Sequence, residues 1–313
     1  MSDTAAAATG RLNYLIDTLH AYDDYVNPDG RGRRHGVKRL LWRWNKSREG
    51  MQTHICRVPY PILKSRAKSR QLADWSATDI STFAHISSTD VHHQVKDTHG
   101  NILAYKLRIP QHLVDNLAST EAMLPPVKAT SSIRGNMQHR HYCIWRKYSD
   151  QPYLSREFRA DLPDSQTWLD ANQALFRRLS DTLRLINPEC YVKFRGIQSY
   201  LPADMQPLCG IFPGLAINQG MTGDSGIHQD WGDYYRGFNC VVPWGDFTGG
   251  GLVLYQAGIV YELKPGDVLY FYGNILAHNV INIEGERNVL DLFCDRELLS
   301  WKKKLQMNKA KKS

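Results

Sequence analysis

No run of eighteen or more apolar residues interrupts this 313-residue sequence, and its first ten residues are small and polar, without a hydrophobic core segment. The expectation is therefore no membrane span and no secretory signal. Cysteine is sparse and unpatterned: Cys56, Cys143, Cys190, Cys209, Cys240 and Cys294 are scattered, with no Cys-x-x-Cys spacing. That distribution suits reduced thiols in a cytosolic or nuclear protein, and signals neither a disulfide framework nor a zinc site. Acidic residues are missing from one place in particular. Arg31, Arg33, Arg34, Lys38, Arg39, Arg43, Lys46 and Arg48 follow one another with no acid between them, enough to supply the whole formal charge of +8.

Interleaved in that segment are Trp42 and Trp44. Basic residues with aromatic faces favour a polyphosphate partner, because each neutralised phosphate releases counterions. A solvated basic helix packed through Leu40, Leu41 and Trp42, or a nuclear import address, explains the same composition. A second basic cluster, Lys302, Lys303, Lys304, Lys309, Lys311 and Lys312, lacks apolar partners and reads as a tail.

An apolar fraction of 42% against 22% charged residues supports one large core rather than several small ones. Three regions follow: a basic, mostly helical N-terminal extension over 1–90, a main domain over 91–300, and the basic tail over 301–313. Within the first, a helix is expected around Leu12 to Tyr22 and a turn at Asn27-Pro-Asp-Gly, with another helix start at Ser76-Ala-Thr-Asp. Strands Val91 to Val95 and Ile102 to Leu107 flank the turn Asp97-Thr-His-Gly-Asn, and Pro110 opens a helix through Met123. From Ser165 to Ile186, Trp168, Leu169, Phe176, Leu179, Leu183 and Ile186 recur at helical spacing, with Asn187-Pro188 as the stop. Short strands are expected over Tyr191 to Tyr200 and Gly210 to Asn218. Leu252 to Tyr255 and Ile259 to Leu263 form a hairpin, with Gly249, Gly250 and Gly251 where the chain bends and Pro265-Gly266-Asp267 as a tight turn before Val268. Antiparallel strands with many turns in this half indicate a jelly-roll sandwich, so the class is α+β.

The densest chemistry lies between Gly226 and Phe293. In a strand, residues i and i+2 share a side, so His228 and Asp230 can offer an imidazole nitrogen and a carboxylate oxygen to one point. His278, opening the segment His278-Asn-Val-Ile-Asn-Ile, is the natural third ligand. Two histidines and one carboxylate, with the remaining positions open, form the facial triad of non-heme Fe(II) oxygenases. In a strand starting near Glu286, Arg287, Val289 and Asp291 share a face, so a guanidinium can point into the same barrel. A buried fixed cation beside an open metal calls for an anionic ligand, and its fork suits a carboxylate. His92, His93, His139 and His141 lack a carboxylate at matching spacing and read as surface or structural.

The order His-x-Asp, Pro-Gly-Asp-Val-Leu-Tyr-Phe, Gly-Asn, distal His278 and then Arg287 resembles the double-stranded β-helix core of 2-oxoglutarate/Fe(II) dioxygenases. Within that superfamily it is most similar to the Tet/JBP branch, which oxidises modified pyrimidines in DNA. The resemblance spans roughly residues 100 to 298, and Ala104-Tyr-Lys-Leu-Arg-Ile-Pro110 is similar to the strand-Pro-helix entry of those proteins. It implies Fe(II) on His228, Asp230 and His278, 2-oxoglutarate on the iron and Arg287, and Asn218 near the co-substrate. It further implies a base-reading role for Asp233, three residues after the triad carboxylate, where a carboxylate accepts from an exocyclic amine. Eight residues beyond the arginine, where relatives carry a histidine at the base, stands Asp295. Arg134 and Asn136, from the basic and aromatic stretch 131–148, are further candidates for substrate contact. Trp231, Tyr234, Tyr235 and Phe238 are aromatic candidates for stacking or core. The substrate implied is double-stranded DNA with a flipped base, first 5-methylcytosine, with N6-methyladenine, RNA, protein or a small molecule as alternatives, and the location implied is nuclear.

Overall fold

A computed structural model of the chain describes residues 51–56, 75–127, 130–131, 136–147, 149–202 and 205–301. The helix expected near Leu12, the basic segment from Arg31 to Arg48, Arg134 and the lysine tail lie outside the described residues. Among those described, no helix is long and apolar enough to cross a membrane.

A single sheet of twelve strands organises the chain: β1 (Gln52–Ile55), β2 (Ala84–Ile86), β3 (His93–Lys96), β4 (Ile102–Arg108), β5 (Thr130–Ser131), β6 (Asn136–Trp145), β7 (Tyr153–Leu154), β8 (Gly214–Thr222), β9 (Asn239–Leu254), β10 (Ile259–Tyr261), β11 (Asp267–Phe271) and β12 (His278–Phe293). Its main path runs β1-β3-β4-β11-β9-β12-β8-β6-β5, with β10 bridging β2 and β9 and with β7 on β6. Two strands from the 1–90 stretch, β1 and β2, thus join the sheet of the main domain.

The helices are α1 (Gln111–Thr120), α2 (Arg156–Ala160), α3 (Asp164–Ala171), α4 (Gln173–Ile186) and α5 (Pro188–Gln198). Pro110 caps α1 as expected, and the turn after that helix is tied to β9 where Trp244 donates to Glu121 at 2.8 Å. The helix expected over Ser165 to Ile186 is two helices broken at Asn172, whose amide turns back to the Trp168 carbonyl. On α4, Phe176, Leu179 and Leu183 are fully buried, each worth roughly 1.5–3 kcal/mol of transfer free energy.

The strand expected over Tyr191 to Tyr200 is instead helix α5. Asn187 and Pro188 act as a start as well as a stop: the Asn187 side chain accepts from the Cys190 amide and Pro188 opens the first turn. Cys190, Tyr191, Phe194 and Ile197 are buried along one stripe, a helical period that the β-forming residue types concealed.

β9 and β12 are each sixteen residues long and pair antiparallel from His278 opposite Leu254 to Leu292 opposite Cys240. β12 therefore begins at His278 and runs unbroken past Glu286, where a separate strand start was expected. The triple glycine does not end β9 either. Gly249 and Gly250 take positive φ within it, and a Cβ at Gly249 would sit 1.7 Å from the Asn282 carbonyl oxygen. Side chains from β6, β8, β9, β11 and β12 line one common cavity, so the sheet curls around an interior. Replacing Gly249 with alanine is expected to destabilise the fold by roughly 2 kcal/mol or more through backbone strain, read as a lowered Tm in thermal unfolding followed by circular dichroism.

Candidate metal and co-substrate site

His228 reaches the site by pairing its backbone with the first residue of β12: its N–H donates to the His278 carbonyl at 3.0 Å and the His278 N–H returns the bond at 2.9 Å. The two imidazoles are thereby brought to 4.4 Å between ring centres. Each ring is fixed through Nδ1, which donates to the Gly226 carbonyl at 2.7 Å in His228 and to the Leu276 carbonyl at 2.8 Å in His278. With the proton held on Nδ1, Nε2 is left as the ligating nitrogen on both rings.

Asp230 completes the group. Its carboxylate lies 4.0 Å from His228 Nε2 and 3.4 Å from His278 Nε2. One ligand atom from each of the three residues falls within 4.8 Å of the others. Burial pushes the pKa of His278 down, but the hydrogen bond and charge of Asp230 outweigh it and the net shift is upward.

The Gly-Asn pair after β11 is explained by this carboxylate. The Asp230 N–H donates to the Gly273 carbonyl at 2.9 Å, and a Cβ on Gly273 would stand 2.6 Å from Asp230 Oδ2. Asn274 donates to the carbonyls of Asp230 and Asp233, both at 2.9 Å. Asn239, almost fully buried on β9, aims one amide nitrogen at three carboxylates: Asp233 at 2.8 Å, and Asp230 and Asp291 each at 3.4 Å.

Arg287 stands nine residues further along β12 and lines the same cavity as His278. It is 1% exposed, and its Nε and Nη2 have no hydrogen-bond partner. Nη1 reaches only the sulfur of Met221 at 3.7 Å, and the guanidinium sits over the Phe247 ring at 5.5 Å. Burial draws its pKa down to about 10, which still leaves it cationic at neutral pH. Gly250 makes room, since a Cβ there would press to 3.0 Å against Arg287 Cδ and Nε. The cavity that Arg287 shares with His228 and His278 is also lined by Asn218, Met221, Ser225 and Asp291. An uncompensated buried cation costs several kcal/mol, so these open donors fit a carboxylate. The three ligands fit a divalent iron and leave its other positions for a chelating 2-oxo acid.

A second cavity, a cleft of about 320 Å³, opens on the other side of Asp230. Asp233 and Asp295, expected at the substrate, both line it, with their backbones joined in a β-bridge. Asp295 is turned toward the backbone: its carboxylate accepts from Glu297 N at 3.1 Å and Arg146 N at 3.4 Å, capping the helical residues 296–301, and burial raises its pKa. Trp231 lines the cleft, whereas Phe238 is packed in the core on Tyr272 and Tyr234 lies against Tyr235 and Lys193. Of the four histidines read as surface or structural, His93 is buried against the Tyr261 hydroxyl, while His141 lines the cleft with Trp145 and Phe293. Asn136 begins β6, and only its backbone is described. The sequence reading had Gly273 and Asn274 only as the Gly-Asn of a motif, with no role, and passed over Asn239 and the cleft role of Asp291. Only the i, i+2 spacing from Arg287 pointed to the last of these.

No family model matches the chain, and no curated protein sequence matches it. A solved structure described as NgTET1 in complex with 5mC DNA superposes with a TM-score of 0.53 at 19% identity, covering 74% of this chain and 91% of that one. The chain shares its fold. An oxidoreductase of the 2OG-Fe(II) oxygenase family from Burkholderia pseudomallei is more distant, at TM-score 0.42 and 20% identity over 61% of this chain and 85% of that one. OsALKBH1 follows at 0.36 and 14%, over 61% and 94%. On their own geometry, the His-Asp-His group and Arg287 of this chain fit a divalent iron and an anionic chelating co-substrate.

Gly273→Ala is expected to displace the Asp230 carboxylate and weaken Fe(II) binding on the order of 10- to 100-fold. Titration of the metal-free protein measures this, with circular dichroism showing an unchanged fold.

Proposed function

We propose that the chain is an Fe(II)- and 2-oxoglutarate-dependent dioxygenase that oxidises a methylated base in DNA, first of all 5-methylcytosine to 5-hydroxymethylcytosine and further oxidised forms. The observation that carries the enzymatic part is the guanidinium of Arg287, buried and with two unpartnered nitrogens, in the same cavity as the two ligand histidines. On this reading the curled sheet is a double-stranded β-helix. Iron and 2-oxoglutarate, when bound, supply the activation of dioxygen that ends in hydroxylation of a C–H bond, with release of succinate and carbon dioxide.

The chain's own residues bind, aim and exclude water. Arg287 takes the far carboxylate of the co-substrate in a water-poor cavity where a charge-assisted pair is strong. Backbone carbonyls of Gly226 and Leu276 keep both histidine rings in one tautomer, and Gly273 with Asn239 keeps Asp230 in place. Asn218, on the cavity wall, is a polar neighbour for the co-substrate.

Support for DNA is the fold shared with a protein solved on 5mC DNA, together with the cleft beside Asp230. Trp231, Trp145, His141 and Phe293 offer ring faces, and Asp233 offers an acceptor to an exocyclic amine. A duplex base reaches this cleft only when flipped out. Lys147 and Arg296 on the cleft wall suit the flanking phosphates. N6-methyladenine is the second reading, favoured by the same Asp233, because either base turns an amine toward a carboxylate. Location in the nucleus goes with this substrate.

Mass spectrometry of nucleosides from methylated DNA incubated with the protein, Fe(II), 2-oxoglutarate and ascorbate tests the proposal. Loss of 5-methylcytosine to oxidised products in the wild type, abolished in His228→Ala, is the expected result. Succinate formation with every base unchanged rejects DNA as the substrate. Arg287→Lys keeps the charge but loses the two-pronged geometry, and is expected to raise KM for 2-oxoglutarate on the order of tenfold or more, measured by succinate release.

A further inference from the structure

Met221 stands directly across the sheet from Arg287, its partner in the β8–β12 ladder. Among the described residues, its sulfur, 3.7 Å from Nη1, is the one acceptor in contact with the guanidinium. A thioether accepts weakly, so it touches the cation without satisfying it, and Nε and Nη2 stay open. Met221 lines the same cavity as His228 and His278, near the end of β8, between two exposed neighbours, Gly220 and Thr222. A molecule as small as a peroxide can reach its sulfur from that cavity, and sulfur is the oxidisable atom there.

Resting on the reading that Arg287 takes the far carboxylate of the co-substrate, we propose that Met221 is a modification site: a hydroperoxide converts it to the sulfoxide, whose oxygen occupies the guanidinium and weakens co-substrate binding. The step balances without further reagents. A sulfur lone pair attacks the terminal oxygen of the hydroperoxide, a sulfur–oxygen bond forms as the oxygen–oxygen bond breaks, and the hydroxyl proton passes to the departing oxygen, which leaves as water or an alcohol. Sulfur is oxidised by two electrons and the hydroperoxide is reduced by two. The change at the site is one of acceptor strength. A sulfoxide oxygen is polar and neutral, and one added on the side of Nη1 comes within hydrogen-bond reach of it. The buried cation is then partly satisfied from within the protein, and an arriving carboxylate has to displace a bond that the thioether did not make. Met221 cannot turn far from that position, because its backbone is held in register with Arg287. The metal ligands are untouched by the change.

Two measurements on the full chain test this. Metal-free protein is treated with graded hydrogen peroxide, then with dithiothreitol to restore any oxidised cysteine, and desalted. Peptide mass spectrometry reads the sulfoxide at Met221 against Met123, which is 44% exposed and reports what a surface methionine does. The same samples, loaded with Mn(II) under nitrogen, are titrated with 2-oxoglutarate by calorimetry. Affinity is expected to fall about tenfold or more for the oxidised fraction, in step with sulfoxide at Met221 and not with sulfoxide at Met123. In Met221→Leu the same treatment is expected to leave affinity at that variant's own untreated value, and the dose series on the wild type decides the matter even where the variant does not fold. Met221 unoxidised at doses that fully convert Met123, conversion of Met221 with affinity retained, or a loss of affinity that persists in Met221→Leu overturns the role of Met221 and leaves the proposed function standing. Failure of the untreated protein to bind 2-oxoglutarate withdraws both.

Discussion

Arg287 places a fixed positive charge where water does not reach, with Nε and Nη2 unbonded and only a thioether and a phenyl face near the remainder. The desolvation of a guanidinium is too large to be met by such neighbours, so the protein folds around a cation that calls for an anionic counter-charge. Several otherwise unrelated features answer to that one demand. Gly250 lacks a Cβ because the arginine stem passes within van der Waals reach, and β9 bends there through residues of positive φ. β12 is long and unbroken because it must carry the arginine at depth and His278 at the rim on a single backbone, which holds their separation fixed. A site divided between two strands and a loop would let the anchoring cation and the metal drift apart; one continuous strand does not.

The triad is held by a second constraint, in which backbone does more than side chains. Both histidines are oriented by main-chain carbonyls two residues upstream, and the segment carrying His228 is clipped to His278 by reciprocal backbone hydrogen bonds. Asp230 has no such neighbour of its own and is held from three directions, by Gly273, Asn274 and Asn239. Backbone donors and acceptors cannot adopt another rotamer, so the tautomers are fixed before any metal arrives.

Which parts of this were legible in the sequence follows from the range of the signals. His228 and Asp230 could be read from their i, i+2 spacing, although the structure gives them a single β-bridge at His228 instead of a strand, and His278 from the turn-flanked segment it opens; Arg287 was read from a short strand of its own and not from its place on β12. Where the reading failed, the deciding contact was distant or the residue types misled. Tyr191, Val192 and Phe194 favour strands by type, yet the Asn187 cap and the buried stripe make them a helix. Gly249 to Gly251 looked like a turn, and only the pairing with Ile281 and Ile283, some thirty residues on, shows that they belong within a strand. Asn239 gave no signal at all, because its importance consists entirely in three carboxylates that come from elsewhere. The position of Asp295 was legible and its orientation was not, since its partners are backbone amides of Arg146 and Glu297.

The distribution of charge along β12 ties these observations together. One face of a single strand carries Arg287, Val289, Asp291 and Phe293 in turn, from the closed end of the first cavity to the wall of the second. A cation therefore lies at the inner end, an apolar residue follows it, a carboxylate stands where the two cavities meet, and an aromatic ring lines the cleft. Strand geometry sets this order every second residue without any help from loops, so the spacing of the cation and the carboxylate is written into one stretch of backbone. A ligand that entered the inner cavity without a carboxylate would leave the buried Arg287 guanidinium uncompensated. The Asn239 amide touches Asp233, Asp230 and Asp291 alike, so the placing of all three carboxylates, and with it the metal geometry, depends on one side chain.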